Sequence, residues 1–328
     1  MELNSVRELK AALAAKLVPA AAASTRMRGA ARALSLEPAS QPAVALGVAP
    51  KQGGGYVLAV RLQHRALEGS RAVDLIVKQA KGEADVRYIG RVEKRAVPWY
   101  RQRQRPLLIG CSVGHVKVTA GTLGAFVQPR GGGALAMLSN NHVLANENKA
   151  RKGDAILQQA DLDGGRAPKD IVAALGAFVK LKRTGANFVD CAVAEIVDKI
   201  KADTVKMKGL GKLKGLGGEF LDEGAIVAKI GRTTGLTRGR VTAFELDDVY
   251  VDYDLGVIGF DNQIEIEGSG DGPFSDGGDS GSLIVDEDGL AVGLLFAGGD
   301  QGGANGQGLT YANPIHAVLR ALKVELVF

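Results

Sequence analysis

The sequence predicts a mainly β protein, in which two antiparallel barrels and a closing helix follow a small α/β module. The 328-residue chain holds 45 Gly, 10 Pro and only 5% aromatic residues, a composition typical of short strands joined by tight turns. From residue 107 onward, short apolar segments recur between glycine-rich turns, in two sets separated by a Lys- and Gly-rich stretch at 199–218. This periodicity fits two barrels, and by itself it also fits a β-sandwich.

Composition excludes several classes of protein. With 46% hydrophobic and 23% charged residues, the chain is not a disordered polyelectrolyte. It contains no run of about 18 apolar residues, so we expect no membrane-spanning helix. Cys111 and Cys191 are far apart in sequence, and we expect both to be reduced, buried thiols.

Residues 1–106 are expected to form a separate basic module with a regulatory or pro-region role. They carry 19 Lys and Arg against 8 Asp and Glu, whereas residues 107–328 carry 22 against 28. These opposite charges suggest different partners for the two modules, or electrostatic docking of one on the other. A nucleic-acid partner is not favoured, because the basic residues are scattered among acids and apolar runs. The predicted segments are a helix over 3–17, a Pro- and Ala-rich link over 35–50, a strand at 56–62, a helix over 68–80, a strand at 84–92 and an exposed basic connector at 94–106.

The connector at 94–106 has two interpretations. Its five Lys or Arg residues and two prolines fit a solvated linker, or a processing site for a protease that prefers basic residues. At the amino terminus, Glu2 and Glu8 stand where a secretory signal needs positive charge. We therefore expect a cytoplasmic protein and keep export as the alternative.

The body of the chain divides into a first barrel over about 107–198, a second over about 222–313 and a closing helix over 314–324. Pro314 is well placed to open that helix, and the apolar residues after it repeat at helical spacing. The predicted strands are LLIGCSV, TLGAFVQP, ALAMLSN, IVAALGAFVKL and FVDCAVAEI in the first set, and GAIVAKIG, GRVTAFEL, LGVIGF, NQIEIE, GSLIVD, LAVGLLFAG and GLTYANP in the second.

Three residues of this body have side chains suited to nucleophilic catalysis. His142 lies in SNNHVL, Asp190 in NFVDCAVAEI and Ser280 in GGDSGSLIV. A Ser hydroxyl attacks at neutral pH when an imidazole takes its proton, and the imidazole needs a carboxylate on its far nitrogen. The order along the chain places His142 and Asp190 on the first barrel and Ser280 on the second, facing a common cleft. Taken singly, His142 and Asp190 also fit purely structural roles.

The glycines around Ser280 suggest a site for negative charge. Because Gly278 has no Cβ, the backbone amides of Gly278 and Ser280 can point into one space, as the oxyanion of a tetrahedral intermediate requires. The strand that begins at Gly281 would hold the hydroxyl rigidly.

These motifs resemble those of the chymotrypsin/trypsin-fold serine peptidases, above all their bacterial members. KIGRTTGLTRGRV at 229–241 also resembles the strand–turn–strand that opens their second barrel, and YANPIHAVL at 311–319 resembles their closing strand and helix. The resemblance covers residues 107–328. It implies two six-stranded barrels and endopeptidase chemistry by a triad of His142, Asp190 and Ser280.

Several positions depart from the family pattern. Members that cut after Lys or Arg carry an acid six residues before the nucleophile, where this chain has Phe274. The resemblance implies a substrate pocket lined by Phe274, Ser275 and Gly298, and leaves its preference open. Phe296 lacks the hydroxyl that many members carry near it to orient the catalytic Asp.

Asp279 raises the question of activation. In zymogen-activated members the equivalent Asp pairs with a newly freed amino terminus and so forms the oxyanion hole. Cleavage within 94–106 is therefore one hypothesis for how this chain becomes active.

We expect a serine endopeptidase that acts on a protein or peptide, with an activating protease or a regulatory protein as a second partner. The alternative is a catalytically inactive binding or scaffold protein on the same fold. Clusters of His, Cys and Asp with metal-ligand spacing are lacking in the sequence, and GLGKLKGLGG lacks the ending of a phosphate-binding loop. We therefore expect neither a metal nor a cofactor.

Overall fold

A computed structural model describes residues 1–26, 44–90, 92, 96–219, 222 and 224–328, in two compact units that span 1–96 and 97–328. The smaller unit is a three-stranded sheet with two helices. Its helices are Leu3–Arg26 and Arg71–Gln79, its strands are Val44–Pro50, Tyr56–Leu62 and Ala84–Tyr88, and a short 3₁₀ turn spans Arg65–Leu67.

The second helix of the smaller unit is capped at its start, and both helices bury apolar side chains against the sheet. The hydroxyl of Ser70 accepts a hydrogen bond from the backbone N–H of Val73 at 3.4 Å, which caps the second helix. The strands Tyr56–Leu62 and Ala84–Tyr88 run parallel, with this helix between them in sequence, as the β-α-β pattern predicts. The buried side chains come from both helices and the central strand: Val6, Leu13, Leu58, Val60, Leu62, Val73 and Ile76.

One strand of the smaller unit was not expected. The predicted link over 35–50 is wrong for residues 44–50, which pair antiparallel with Tyr56–Leu62. A turn containing Gly53, Gly54 and Gly55, all at positive φ, joins the two strands and allows this tight reversal. Residues 35–43 of the expected link lie outside the described residues.

The first barrel of the larger unit is a ring of six paired segments. The segment 121–129 pairs with Ser112–His115 at one end and with Ala136–Ser139 at the other, which closes the ring. The sixth segment is Ala155–Leu157, a strand that the apolar pattern does not predict. In ring order the strands are Ser112–His115, Gly121–Thr122 with Ala125–Pro129, Ala136–Ser139, Ala192–Ile196, Ile171–Phe178 and Ala155–Leu157.

The second barrel also closes on itself. Leu290–Gly298 pairs with Leu283–Asp286 on one side and with Leu309–Pro314 on the other. The prediction of two antiparallel barrels is therefore confirmed, and the closed rings exclude a sandwich. In ring order the strands are Ile226–Gly231, Gly235–Leu246, Gln263–Gly268, Leu309–Pro314, Leu290–Gly298 and Leu283–Asp286, and a separate hairpin is formed by Val249–Tyr253 and Gly256–Phe260.

Shorter elements complete the larger unit. The closing helix spans Ile315–Leu322, and Lys323 ends it in a left-handed conformation. The predicted helix end at 324 is corrected, because Val324–Leu326 pairs with Ala125–Pro129 of the first barrel. The remaining elements are the two-residue strands Leu107–Leu108, Ala202–Asp203, Lys206–Met207, Gly211–Lys212 and Gly215–Leu216, the helix Asn141–Leu144 and the 3₁₀ turns Trp99–Arg101 and Asp161–Asp163.

Residues 97–106, predicted to be part of an exposed connector, pack on the larger unit. Arg101 Nε donates to the carbonyl of Arg232 at 3.0 Å, and Arg105 Nη2 donates to the carbonyl of Gln158 at 3.1 Å. The long arginine side chains find backbone acceptors on both barrels, and a solvated linker would not make such contacts. Residues 94 and 95 lie outside the described part of the chain.

Both cysteines are buried free thiols in the core of the first barrel. Burial raises the pKa of Cys111 to about 12, and burial together with the charge of Asp190 raises the pKa of Cys191 well above its usual value. Among the described helices, none combines the length and hydropathy needed to cross a membrane.

Candidate active site

The imidazole of His142 is bound directly to the carboxylate of Asp190. His142 lies on the helix Asn141–Leu144, and its Nδ1 is 2.6 Å from Asp190 Oδ2. Asp190 is fully buried, whereas the side chain of His142 keeps 21% of its surface exposed. The predicted pairing of these two residues, 48 positions apart, is thus present.

The other contacts of Asp190 determine which ring nitrogen carries the proton. Its Oδ1 accepts the backbone N–H groups of Asn141 at 2.6 Å and His142 at 3.3 Å, and its Oδ2 accepts the hydroxyl of Tyr253 at 2.7 Å. Amides can only donate, so the carboxylate acts as an acceptor and the imidazole proton lies on Nδ1. The Nε2 atom is then left with a lone pair, as a general base requires.

Two buried asparagines hold the backbone of Asp190 in place. Asn140 Nδ2 donates to the Asp190 carbonyl at 2.7 Å, and the Asp190 N–H donates to Asn313 Oδ1 at 2.9 Å. Asn313 lies on the second barrel and is itself fixed by Gln263 at 2.6 Å. Residues from both barrels therefore position this carboxylate.

Ser280 lies in a turn that packs against the strand leading to His142. The backbone N–H of Thr122 donates to the Ser280 carbonyl at 2.8 Å. Gly281 has φ +90°, and a Cβ at this position would collide with Ser139 Oγ and the Thr122 carbonyl. Since Ser139 is only three residues from His142, this close approach brings the serine turn to the end of the first barrel that carries the imidazole. Within the described residues the Ser280 hydroxyl has no hydrogen-bond partner.

The backbone amides of Gly278 and Ser280 are free to bind a ligand. In the described part of the chain neither amide donates to a protein acceptor, whereas the amides of Asp279 and Gly281 are bonded to Asp276 and Leu295. Gly278 has φ +96°, which an L-residue with a side chain rarely adopts. The turn therefore presents two unpaired N–H groups beside the Ser280 hydroxyl, the arrangement expected of an oxyanion hole.

Asp279 is neutralised from within the second barrel. Its Oδ2 lies 3.0 Å from Lys229 Nζ, and both side chains are completely buried. Its Oδ1 accepts the backbone N–H of Thr233 at 2.7 Å and of Thr234 at 3.2 Å. Burial lowers the pKa of Lys229, and the Asp279 carboxylate partly offsets this effect. The partner of Asp279 in the unprocessed chain is thus an internal ammonium group, and a freed amino terminus is not needed to balance its charge.

A pocket of about 400 Å³ opens beside Ser280. Ser275 and Gly298 line it, as predicted, and the Ser275 hydroxyl lies 2.7 Å from the Thr310 hydroxyl. The expectation for Phe274 is corrected, because its side chain is only 1% exposed and belongs to the core of the second barrel. Phe274 and Ser275 lie outside the strands, in the segment that leads to the serine turn, and the ring of Phe274 packs in the core while its neighbour Ser275 faces the pocket.

Two residues that position the site, Lys229 and Tyr253, were not predicted from the sequence. Lys229 interrupts the apolar strand AIVAKIG, and a buried cation without a local partner is a usable signal. Tyr253 gave no such signal, since it lies 63 residues from Asp190 on a strand flanked by acids. The absence of a hydroxyl at Phe296 posed the question of what orients Asp190, and Tyr253 supplies that hydroxyl from a neighbouring hairpin.

No family model matches this chain, and no curated protein matches it. Solved structures similar to it include a Cellulomonas bogoriensis chymotrypsin and Thermobifida fusca protease A, each with 16% identity and a TM-score of 0.46, covering 67% of this chain and 97% of theirs. A glutamic acid specific serine protease has 19% identity and a TM-score of 0.48, covering 67% of this chain and 100% of that one. These structures are serine proteases of the family that the sequence motifs resemble.

Proposed function

We propose that this chain is a serine endopeptidase that hydrolyses peptide bonds through an acyl-enzyme intermediate. The observation that carries the proposal is the 2.6 Å contact between His142 Nδ1 and Asp190, beside a serine turn with two unpaired amides. Each part of this arrangement matches one requirement of acyl transfer.

The reaction follows from the position of these groups. His142 Nε2 takes the proton of the Ser280 hydroxyl as its oxygen attacks the peptide carbonyl, and the amides of Gly278 and Ser280 bind the oxyanion that forms. Asp190 stabilises the imidazolium produced in this step. His142 then gives its proton to the leaving amine, and a water molecule, activated by the same imidazole, hydrolyses the ester on Ser280.

The pocket beside Ser280 would receive a substrate side chain. Its wall includes Ser275 and Gly298, which has no side chain to fill the pocket, and its charged side chains are Asp276 and Asp300. Two carboxylates favour a polar or positively charged side chain and disfavour an acidic one. A protein or peptide substrate is therefore part of this proposal.

The ion pair of Asp279 with Lys229 favours a serine turn that forms without processing of the chain. If cleavage within 94–106 is nevertheless the activating step, amino-terminal sequencing of the active species will give a residue in that segment, and the intact chain will be inactive. Full activity of the intact chain would remove cleavage as a requirement and leave residues 1–96 as a regulatory or recruiting module.

The alternative function is a binding or scaffold protein without turnover. The observation in its favour is the Ser280 hydroxyl, which makes no hydrogen bond to a described residue. A peptide-library digest read by mass spectrometry distinguishes the two functions, with Ser280→Ala as the matched control. We expect new peptide termini with the wild-type chain and none with the variant, whereas an intact library with both proteins would refute the proposal.

A further inference from the structure

The carboxylate of Asp190 is held by a second side chain besides His142. The hydroxyl of Tyr253 lies 2.7 Å from Asp190 Oδ2, the same oxygen that faces His142 Nδ1 at 2.6 Å. We propose that Tyr253 is a positioning residue of the active site, whose hydroxyl orients the Asp190 carboxylate and whose ring borders the imidazole of His142. This inference rests on the proposed function of the His142 and Asp190 pair.

The hydroxyl of Tyr253 acts as a hydrogen-bond donor. Asp190 Oδ1 accepts two backbone N–H groups, which can only donate, so Asp190 acts as a carboxylate and the phenol donates its hydrogen bond to Oδ2. Burial raises the pKa of Tyr253 well above its usual value, and the charge of Asp190 raises it further. The phenol therefore stays protonated at neutral and mildly alkaline pH, and its hydrogen bond to an ionised group is of the stronger kind.

The ring of Tyr253 meets His142 edge to face. The two ring centroids are 5.8 Å apart with an interplanar angle of 67°. On its other side Tyr253 packs against Phe260 at 6.1 Å, and Phe260 packs against Phe296 at 4.7 Å. Phe260 and Phe296 are buried, so this row of rings limits the movement of Tyr253 away from the imidazole.

The tip of the hairpin that carries Tyr253 is bound to the loop that follows His142. The carboxylate of Glu147 accepts the backbone N–H groups of Asp254 at 3.2 Å and Leu255 at 3.1 Å. Lys149 Nζ is 3.0 Å from Asp254 Oδ2. Glu147 stands in a left-handed turn, with φ +52°, just after the helix of His142. The loop that follows His142 is therefore bound directly to the hairpin that carries Tyr253.

The test compares two Tyr→Phe substitutions on one strand of the full-length protein. Tyr253→Phe removes the hydroxyl that reaches Asp190, and Tyr250→Phe removes a hydroxyl from a side chain that is 67% exposed. We expect Tyr253→Phe to lower kcat on a peptide substrate by about tenfold, the equivalent of one charge-assisted hydrogen bond, with KM changed less than about twofold. Tyr250→Phe should leave both constants unchanged.

A spectroscopic measurement separates positioning from a general loss of structure. The proton between His142 Nδ1 and Asp190 should give a far-downfield ¹H resonance, and its shift should move in Tyr253→Phe because the acceptor oxygen loses a competing donor. An unchanged kcat together with an unchanged resonance would overturn the inference. If the wild-type chain hydrolyses no peptide, the proposed function fails, but the resonance still decides whether Tyr253 acts on this pair.

A second variant covers the case in which Tyr253→Phe does not fold. Glu147→Gln keeps the tyrosine hydroxyl and weakens the hydrogen bonding of the Glu147 side chain to the backbone N–H groups at the hairpin tip. We expect this variant to lower kcat by about two- to fivefold and to move the same resonance, since a Gln side chain keeps only one acceptor oxygen for the two backbone N–H groups of Asp254 and Leu255. A resonance at the wild-type position and a wild-type kcat in Glu147→Gln would overturn the inference.

Discussion

Replacing Lys229 by Met tests whether the serine turn depends on one buried ion pair. The substitution keeps a similar side-chain length in the second barrel but removes the ammonium 3.0 Å from Asp279. Both partners are fully buried, so the substitution would leave the carboxyl of Asp279 with only neutral donors around it. Loss of one partner of such a pair costs about 3–5 kcal/mol. For a unit of this size we expect the melting temperature to fall by roughly 6–20 °C.

Thermal unfolding followed by circular dichroism measures this effect, with Lys212→Met as the control. Lys212 is an exposed residue of the same unit, and its loss should leave the melting temperature unchanged. The double variant Lys229→Met with Asp279→Asn should recover part of the lost stability, because no buried charge is left unpaired. A melting temperature for Lys229→Met within about 2 °C of the wild type would refute this reasoning, since that difference corresponds to at most about 1 kcal/mol.

Two further predictions concern the serine turn and the core. Gly278→Ala should lower kcat by about 10²–10³-fold, because a Cβ there meets Thr233 Oγ1 at 2.7 Å and displaces an oxyanion donor. The control is Gly277→Ala, which has open space around the added Cβ and should retain the wild-type kcat. An equal loss of kcat in both variants would contradict the role of the Gly278 amide. Between pH 9 and 12 the free energy of unfolding should fall, because the thiol of Cys111 ionises in the unfolded chain at its ordinary pKa of 9.0 but only at about 12 in the folded protein. Urea unfolding at stepped pH checks this, and Cys111→Ala should show a shallower decline over the same window; parallel declines would contradict it.

The sequence predicts the larger elements of the fold because their apolar patterns are strong. The helix Arg71–Gln79 and the strands on either side of it were predicted from local patterns of apolar residues, which bury one face in a small core. The strands of the second barrel were found in the same way, since segments such as SLIVD and LAVGLLFAG are apolar enough to be recognised alone. Closure of the rings could not be predicted, because periodicity does not show which strand pairs with which.

The elements that were missed have weak local patterns. Val44–Pro50 was read as a link because glycine and proline interrupt it, and it becomes a strand only by pairing with Tyr56–Leu62. Val249–Tyr253 is flanked by acids, and Tyr250 on it is exposed, so its alternation gave little evidence of burial. Packing of the basic residues at 97–106 on the barrels depends on carbonyls that are distant in sequence.

In the candidate site, too, residues with a recognisable local motif were predicted and residues that act through distant contacts were not. His142, Asp190 and Ser280 were identified because acyl transfer needs those three chemical types in separate motifs, and the structure brings His142 and Asp190 into contact. Tyr253 could not be identified, because its function depends on one hydrogen bond across 63 residues. Phe274 was placed in the pocket wall by resemblance alone, whereas its ring is buried against Val241 and Ile266 in the core of the second barrel.

The most direct test of a nucleophilic Ser280 is the intact mass of the full-length chain after treatment with a fluorophosphonate. Such a probe forms a stable bond only with a serine whose proton is removed by a neighbouring base and whose oxyanion is bound. We predict one adduct on the wild-type protein, localised to Ser280, and none on Ser280→Ala. An unlabelled wild-type chain, or equal labelling of the two proteins, would contradict the assignment of this site.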